Sequence, residues 1–117
     1  MIPLFVYGTL KRGCKSHAYL AGQTFLAETR TLPGYRLLLL DGYPGLVPAT
    51  DDREGVTGEL WSVSAECLEA LDRFEGLAEG LYRREAVPLD KPHLSADAYL
   101  YAQSGEGRRV LGAAWTE

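Results

Sequence analysis

Apolar residues recur along the chain in six short runs that predict β-strands. Alternation of large apolar residues with small or polar ones is clearest near Tyr99, and residues typical of turns separate the runs. The Leu37–Leu40 run has helical propensity, but the Pro33-Gly34 and Asp41-Gly42 pairs that flank it favour a short buried strand. The predicted strands are Ile2–Tyr7, Thr24–Thr31, Tyr35–Leu40, Val56–Val63, Tyr82–Leu89 and Ala96–Ala102.

One segment has the period of an amphipathic helix, from about Ala65 to Glu75. Ser64 is a suitable N-cap, and Gly76 suits the left-handed position that follows a helix. At roughly 100° per residue, the predicted core-facing stripe consists of Cys67, Leu68, Leu71 and Phe74. A short helical turn is expected at Ser16–Leu20, and Trp115 is expected to cover apolar surface.

Glu75 is a charged residue on the apolar face of this helix, because it follows Leu71 by four residues. A buried carboxylate is costly unless it is paired or protonated, which makes Glu75 the leading candidate for a functional residue. Two alternatives stay open at this point. Glu75 lies in water in a frayed last turn, or it forms a structural ion pair with Arg83 or Arg84.

The first predicted strand runs into a polar turn at Gly8-Thr9. Glycine permits a sharp turn and a close approach to a ligand, and consecutive backbone N–H groups at such a turn can bind an anion. The turn is therefore a candidate site for a carboxylate or phosphate. The alternative is an ordinary turn after a strand.

Composition narrows the class of protein. A chain of 117 residues, 46% hydrophobic and 24% charged, is expected to form one globular domain over residues 1–117. A net charge of −4 argues against nucleic acid as a partner. No run is long enough for a membrane span, and no secretion signal is evident, so a cytoplasmic protein is expected. The oligomeric state stays open, and a monomer is compatible with the sequence.

Motifs for cofactors and metals are missing. The sequence contains no phosphate-binding glycine loop, no nucleophile elbow and no zinc-protease motif. Cys14 and Cys67 are interpreted as reduced thiols, and Cys14 with His17 is interpreted as a pair of exposed loop residues. No metal or organic cofactor is expected.

Several segments, in order, resemble one known family. The opening from Phe5 to Gly13 resembles that of gamma-glutamylamine cyclotransferases, a branch of the gamma-glutamylcyclotransferase-like (AIG2-like) family. The later matching segments are Pro33-Gly34-Tyr35, Tyr43-Pro44 in a predicted turn, Val56–Trp61, Leu71–Gly76 and Tyr82-Arg83-Arg84. The chain is shorter at its C-terminus than the animal enzymes of that branch.

The resemblance implies an α+β fold, with a small mixed barrel-like sheet, one or two packed helices and a central cavity. It implies that Glu75 transfers protons and that Tyr7, Gly8, Thr9 and Leu10 bind the α-carboxylate of a small gamma-glutamyl substrate. Tyr43 and Tyr82 are further candidates for the substrate site, and Thr9 and Tyr82 are candidates for supporting hydrogen bonds, with structural roles such as core filling as the alternative.

The implied reaction is attack of the substrate's own α-amino group on its γ-carbonyl, which releases 5-oxoproline and an amine. It needs a base and a clamp but no side-chain nucleophile. The competing hypothesis is a domain of the same fold that binds a small carboxylate, or a partner, without catalysis.

Overall fold

Eight β-strands form one mixed sheet in the computed structural model, which describes residues 1–117. The strands are β1 (Ile2–Val6), β2 (Thr24–Arg30), β3 (Tyr35–Leu39), β4 (Pro44–Pro48), β5 (Thr57–Val63), β6 (Tyr82–Pro88), β7 (Ser95–Tyr101) and β8 (Arg109–Val110). A 3₁₀ helix covers His17–Leu20, and the single α-helix, α1, covers Ala65–Phe74. The predicted α+β class with a barrel-like mixed sheet is confirmed.

All six predicted strands are present, with ends that differ by one residue. Two strands were not predicted, the short β8 and, more important for the cavity, β4. The sequence places Tyr43-Pro44 in a turn, whereas Pro44 is the first residue of β4. Because proline lacks the N–H that a residue inside a strand donates, a segment that contains prolines is not recognised as a strand from its sequence pattern. Here Pro44 and Pro48 stand at the two ends, where little pairing is lost.

Strand β7 organises the sheet. It pairs in parallel with β1 (Leu4 opposite Asp97) and with β4 (Leu46 opposite Leu100), and antiparallel with β6 along its whole length. A strand has only two edges, so β1 and β4 share one edge of β7. The residues that follow β1 therefore meet the start of β4.

Two apolar clusters occupy the two faces of the sheet. Alternation along β1 sends Leu4 and Val6 to one cluster and Phe5 to the other. Helix α1 packs on the first cluster through Leu68 and Leu71, which are 5% and 0% exposed. Trp115 packs at the border of the second cluster, as expected for a residue that covers apolar surface.

The ends of α1 follow the sequence closely. The Ser64 side chain accepts a hydrogen bond from the backbone N–H of Cys67 at 3.1 Å, which is the predicted N-cap. Gly76 has a φ of +68°, in the left-handed region that ends many helices. Glu75 is the C-cap residue of α1, between Phe74 at the end of the helix and Gly76, so the helix and the glycine turn together fix its position.

Candidate active site

The seven residues predicted for the site line one cavity of about 250 Å³. It lies where β1 ends, β4 begins and α1 ends, so elements distant in sequence each supply one wall. The seven are Tyr7, Gly8, Thr9, Leu10, Tyr43, Glu75 and Tyr82. Apolar side chains contribute most of the remaining lining, a composition typical of a small-molecule site.

Glu75 faces this cavity and forms no ion pair or side-chain hydrogen bond within the chain. Its backbone N–H still donates to the Leu71 carbonyl at 2.8 Å, so the last turn of the helix is not frayed. The suggested ion pairs are also wrong, because Arg83 pairs with Glu85 and Arg84 with Asp72 and Asp97. Glu75 is a carboxylate without a neutralising partner.

The setting of Glu75 favours the protonated acid. Burial raises the pKa of Glu75 from 4.5 to about 7. The negative end of the helix dipole lies at the same terminus and acts in the same direction. A group with this pKa can accept a proton and return it at neutral pH.

A second feature of the cavity is the turn after β1. The backbone N–H groups of Gly8, Thr9 and Leu10 donate to no acceptor in the chain. Around them the turn is well fixed, because its carbonyls accept from Lys11 N–H (to Gly8, 3.1 Å) and Ser16 N–H (to Thr9, 2.9 Å). Three consecutive unpaired donors beside a cavity can hold a carboxylate.

The structure gives a reason for glycine at position 8 that the sequence analysis did not identify. Its φ is not positive, so the turn does not need a left-handed residue there. A Cβ on Gly8 would instead lie 2.7 Å from Cγ of Pro44. Glycine thus permits β1 and β4 to approach closely at the cavity.

Glu59 binds Arg12, which follows this turn, and the sequence analysis did not identify Glu59 as a residue of the site. It is 7% exposed, and its carboxylate accepts from the Arg12 backbone N–H (3.1 Å), the Arg12 Nε (3.0 Å) and the Trp61 ring N–H (3.1 Å). Burial alone would raise the pKa of Glu59, but these hydrogen bonds outweigh it and lower the pKa. The signal was present, because Glu59 alternates with Trp61 and Val63 on an inward face.

Two of the three buried tyrosines that line the cavity, Tyr7 and Tyr82, have hydroxyls that are hydrogen-bonded to the backbone. Tyr7 donates to the Tyr99 carbonyl (2.6 Å) and accepts from the Leu46 N–H (3.1 Å), and Tyr82 donates to the Pro44 carbonyl (3.0 Å). Burial first, and the charge of Glu75 among further causes, raise the pKa of both phenols. The Thr9 hydroxyl, by contrast, makes no hydrogen bond in the chain.

Two expectations about neighbouring side chains are wrong. Phe74 is 41% exposed rather than buried, because it stacks on Tyr19 (centroids 4.2 Å apart) at the cavity instead of entering the core. His17 is half-buried rather than exposed, with Nδ1 2.9 Å from the Leu10 carbonyl and its ring 5.3 Å from Trp61. Both residues border the turn or the cavity.

Other lining residues were not identified from the sequence. Lys15 and Ser16 come from the loop after β1, Leu81 from the approach to β6 and Tyr99 from β7. Lys15 is the one cationic lining residue, and it is exposed. The chain contains no cluster of three or more metal-ligating side chains, and none of its helices has the length and hydropathy of a membrane span.

Fold and cavity define a class of small α+β proteins in which a turn after the first strand faces an isolated carboxylate. The crystal structure of an AIG2-like protein from Mus musculus superposes with a TM-score of 0.81 at 26% identity, over 97% of this chain and 87% of its counterpart. The likeness therefore extends over nearly the whole fold.

The chain belongs to the family described as Gamma-glutamyl cyclotransferase, AIG2-like, which it matches over residues 4–117. A Vibrio cholerae relative with gamma-glutamylcyclotransferase in its name is 36% identical over 101 residues, 86% of this chain and 83% of the relative. The human gamma-glutamylaminecyclotransferase is 36% identical over 94 residues, 74% of this chain and 61% of the relative. The aligned part of the human protein is thus less than two thirds of its length. The family predicted from the sequence is confirmed.

Proposed function

We propose that this protein is a gamma-glutamylamine cyclotransferase, an enzyme that converts a gamma-glutamyl amine into 5-oxoproline and the free amine. One observation carries the proposal. An unpaired carboxylate with a pKa near 7, Glu75, faces the same cavity as the three unpaired N–H groups of Gly8, Thr9 and Leu10. Family membership and the names of the relatives agree with it.

In the proposed reaction the turn binds the α-carboxylate of the glutamyl group and Glu75 removes a proton from the α-ammonium. The freed amine attacks the γ-carbonyl carbon, and a new C–N bond closes a five-membered ring. Glu75 then gives its proton to the departing nitrogen as the original amide C–N bond breaks. The ring nitrogen loses a second proton, which Glu75 passes to the released amine to give an ammonium ion, so all protons are accounted for and no cofactor and no side-chain nucleophile are needed.

The cavity suits this division of work. Ring closure within one molecule is fast once the reacting atoms are held together, so the main task is to hold a folded glutamyl conformer. The apolar lining around Glu75 raises its proton affinity towards that of the α-amino group and the departing nitrogen, with which it exchanges protons. Two free cysteines, Cys14 and Cys67, are typical of a reducing compartment, so we place the reaction in the cytoplasm.

The test is release of 5-oxoproline from a panel of gamma-glutamyl amines, amino acids and peptides. Glu75→Gln keeps the shape of the side chain but cannot accept the proton, so turnover should fall by about 10²-fold or more. Glu69→Gln, on the exposed face of the same helix, is the matched control. Full activity in Glu75→Gln would remove Glu75 from the mechanism. A folded wild type that binds gamma-glutamyl compounds and converts none would identify a binding domain instead.

A further inference from the structure

A polar cluster of Asp72, Arg84 and Asp97 connects the last turn of α1, which leads to Glu75, with β6 and β7. Arg84 donates from Nε and Nη2 to the two oxygens of Asp72 (2.9 and 3.2 Å), and from Nη1 to Asp97 Oδ2 (2.6 Å). All three guanidinium nitrogens are therefore engaged by carboxylates. The three side chains are 25–29% exposed, so water screens these pairs only in part.

Asp72 also contacts the cavity wall. The hydroxyl of Tyr99, which lines the cavity, donates to Asp72 Oδ1 at 2.7 Å. The Asp72 carbonyl accepts from the Leu77 N–H at 3.1 Å, just beyond the helix end. Asp72 therefore ties the turn that carries Glu75 to two strands of the sheet.

The contacts of Asp72 also affect the charges around Glu75. The phenols of Tyr7, Tyr82 and Tyr99 face Glu75 from the residue after β1, from β6 and from β7. Across the cavity, the loop after β1 contributes the exposed Lys15. Arg84 lies close enough to act on the Tyr99 phenol, in the direction opposite to that of Glu75, and its charge is already matched by two carboxylates.

We propose that Asp72 is a positioning residue for the cyclotransferase reaction: it fixes the helix turn that carries Glu75 and, together with Asp97, keeps the Arg84 guanidinium away from that carboxylate. The proposal rests on the proposed function, in which Glu75 is the base. A free guanidinium beside Glu75 would favour its charged form and weaken it as a proton acceptor.

The variant Asp72→Asn tests the electrostatic part. Asparagine keeps the size of the side chain and an oxygen for Tyr99, but it no longer neutralises Arg84. We expect the acidic midpoint of kcat/KM to fall by about one pH unit, as it does when an unpaired cation lies near a carboxyl group. KM should change less than kcat, since the turn after β1 is untouched.

The double variant Asp72→Asn with Arg84→Met separates this role from a purely structural one. Removing the guanidinium should return the midpoint towards 7 and recover part of the lost kcat. If Asp72 served only to stabilise the fold, the double variant would be as impaired as the single one or more so, and the midpoint would not move in either. That result would overturn the proposal.

A readout without turnover keeps this proposal distinct from the proposed function. The ¹³C chemical shift of the Glu75 carboxyl carbon, assigned by its loss in Glu75→Gln, can be titrated in the protein alone. We expect a lower midpoint in Asp72→Asn and no change in Glu69→Gln, which removes the exposed Glu69–Arg73 pair of the same helix. If Asp72→Asn does not fold, Asp97→Asn should give a smaller shift in the same direction. An unchanged Glu75 titration in a folded variant contradicts the inference, whether or not any substrate is turned over.

Discussion

The hydroxyl of Tyr7 donates to the backbone carbonyl of Tyr99 at 2.6 Å, and it accepts from the backbone N–H of Leu46 at 3.1 Å. Tyr7 follows β1, and the other two residues lie on β7 and β4. Because β1 and β4 share one edge of β7, the sheet divides at this point, and a buried phenol joins two backbone groups across the division. The same division opens the cavity.

Tyr7→Phe should therefore destabilise the fold. It leaves a buried carbonyl and a buried N–H without a partner, at a cost of about 1–3 kcal/mol each. Urea unfolding measures the loss, with Tyr19→Phe as control, because Tyr19 is 48% exposed and its hydroxyl makes no hydrogen bond in the chain. Equal free energies of unfolding for Tyr7→Phe and wild type would show that the two backbone groups find other partners.

The pKa of Glu75 predicts opposite pH trends for activity and stability. The base form is required, so kcat/KM should rise through an acidic limb centred near pH 7. The folded-state pKa is raised above 4.5, so the contribution of Glu75 to stability is fully present below pH 4.5 and is lost as the pH rises through about 7.

Glu75→Gln should abolish that loss of stability. Between pH 5 and 8, its melting temperature should fall less with pH than that of the wild type, measured by circular dichroism in parallel titrations. Parallel curves for the two proteins would mean that Glu75 titrates at its ordinary pKa.

The buried Glu59 should affect substrate binding rather than proton transfer. Glu59→Gln places an amide where the Arg12 N–H and guanidinium need an anion, and hydrogen bonds to charged groups contribute about 1.5–3 kcal/mol. KM should rise by about tenfold as the turn loosens, while the acidic midpoint of kcat stays in place. Glu28→Gln is the control, since Glu28 pairs with the same guanidinium but is 81% exposed in its side chain. Equal KM values in both variants would contradict a role in shaping the turn.

The cavity lining predicts a preference for amines as leaving groups. Gamma-glutamyl amino acids carry a carboxylate beside the scissile nitrogen, and an unpaired carboxylate is costly to desolvate. Neither Arg83 nor Arg84 lines the cavity, and Lys15 is exposed. We therefore expect higher kcat/KM for gamma-glutamyl-ε-lysine and gamma-glutamyl alkylamines than for gamma-glutamyl-α-alanine or glutathione.

Lys15→Met tests the one cation that could reverse this order. The ranking of substrates should persist in the variant. Faster turnover of gamma-glutamyl-α-alanine by the wild type, lost in Lys15→Met, would assign Lys15 as a clamp for the second carboxylate and refute the preference for amines.

Local patterns in the sequence were sufficient for six strands, for the helix with its Ser64 cap and Gly76 terminus, and for the unusual position of Glu75. These features depend on residues a few positions apart, where period, capping and turn chemistry act directly. The short ordered motifs were sufficient for the family.

Tertiary structure decided what those residues meet. Strand β4 was hidden by its prolines, and it exists because β7 and β3 pair with it on both sides. Glu59 binds Arg12, 47 positions away, and Asp72 binds Arg84, 12 positions away, and no local pattern specifies such pairings. For Glu75, the helical face could be predicted from the sequence, but its lack of an ion-pair partner could not. In the packed fold Arg84 pairs with Asp72 and Asp97, which leaves Glu75 without a cation. Ion pairing depends on distances in space between elements, and spacing along the chain does not determine them.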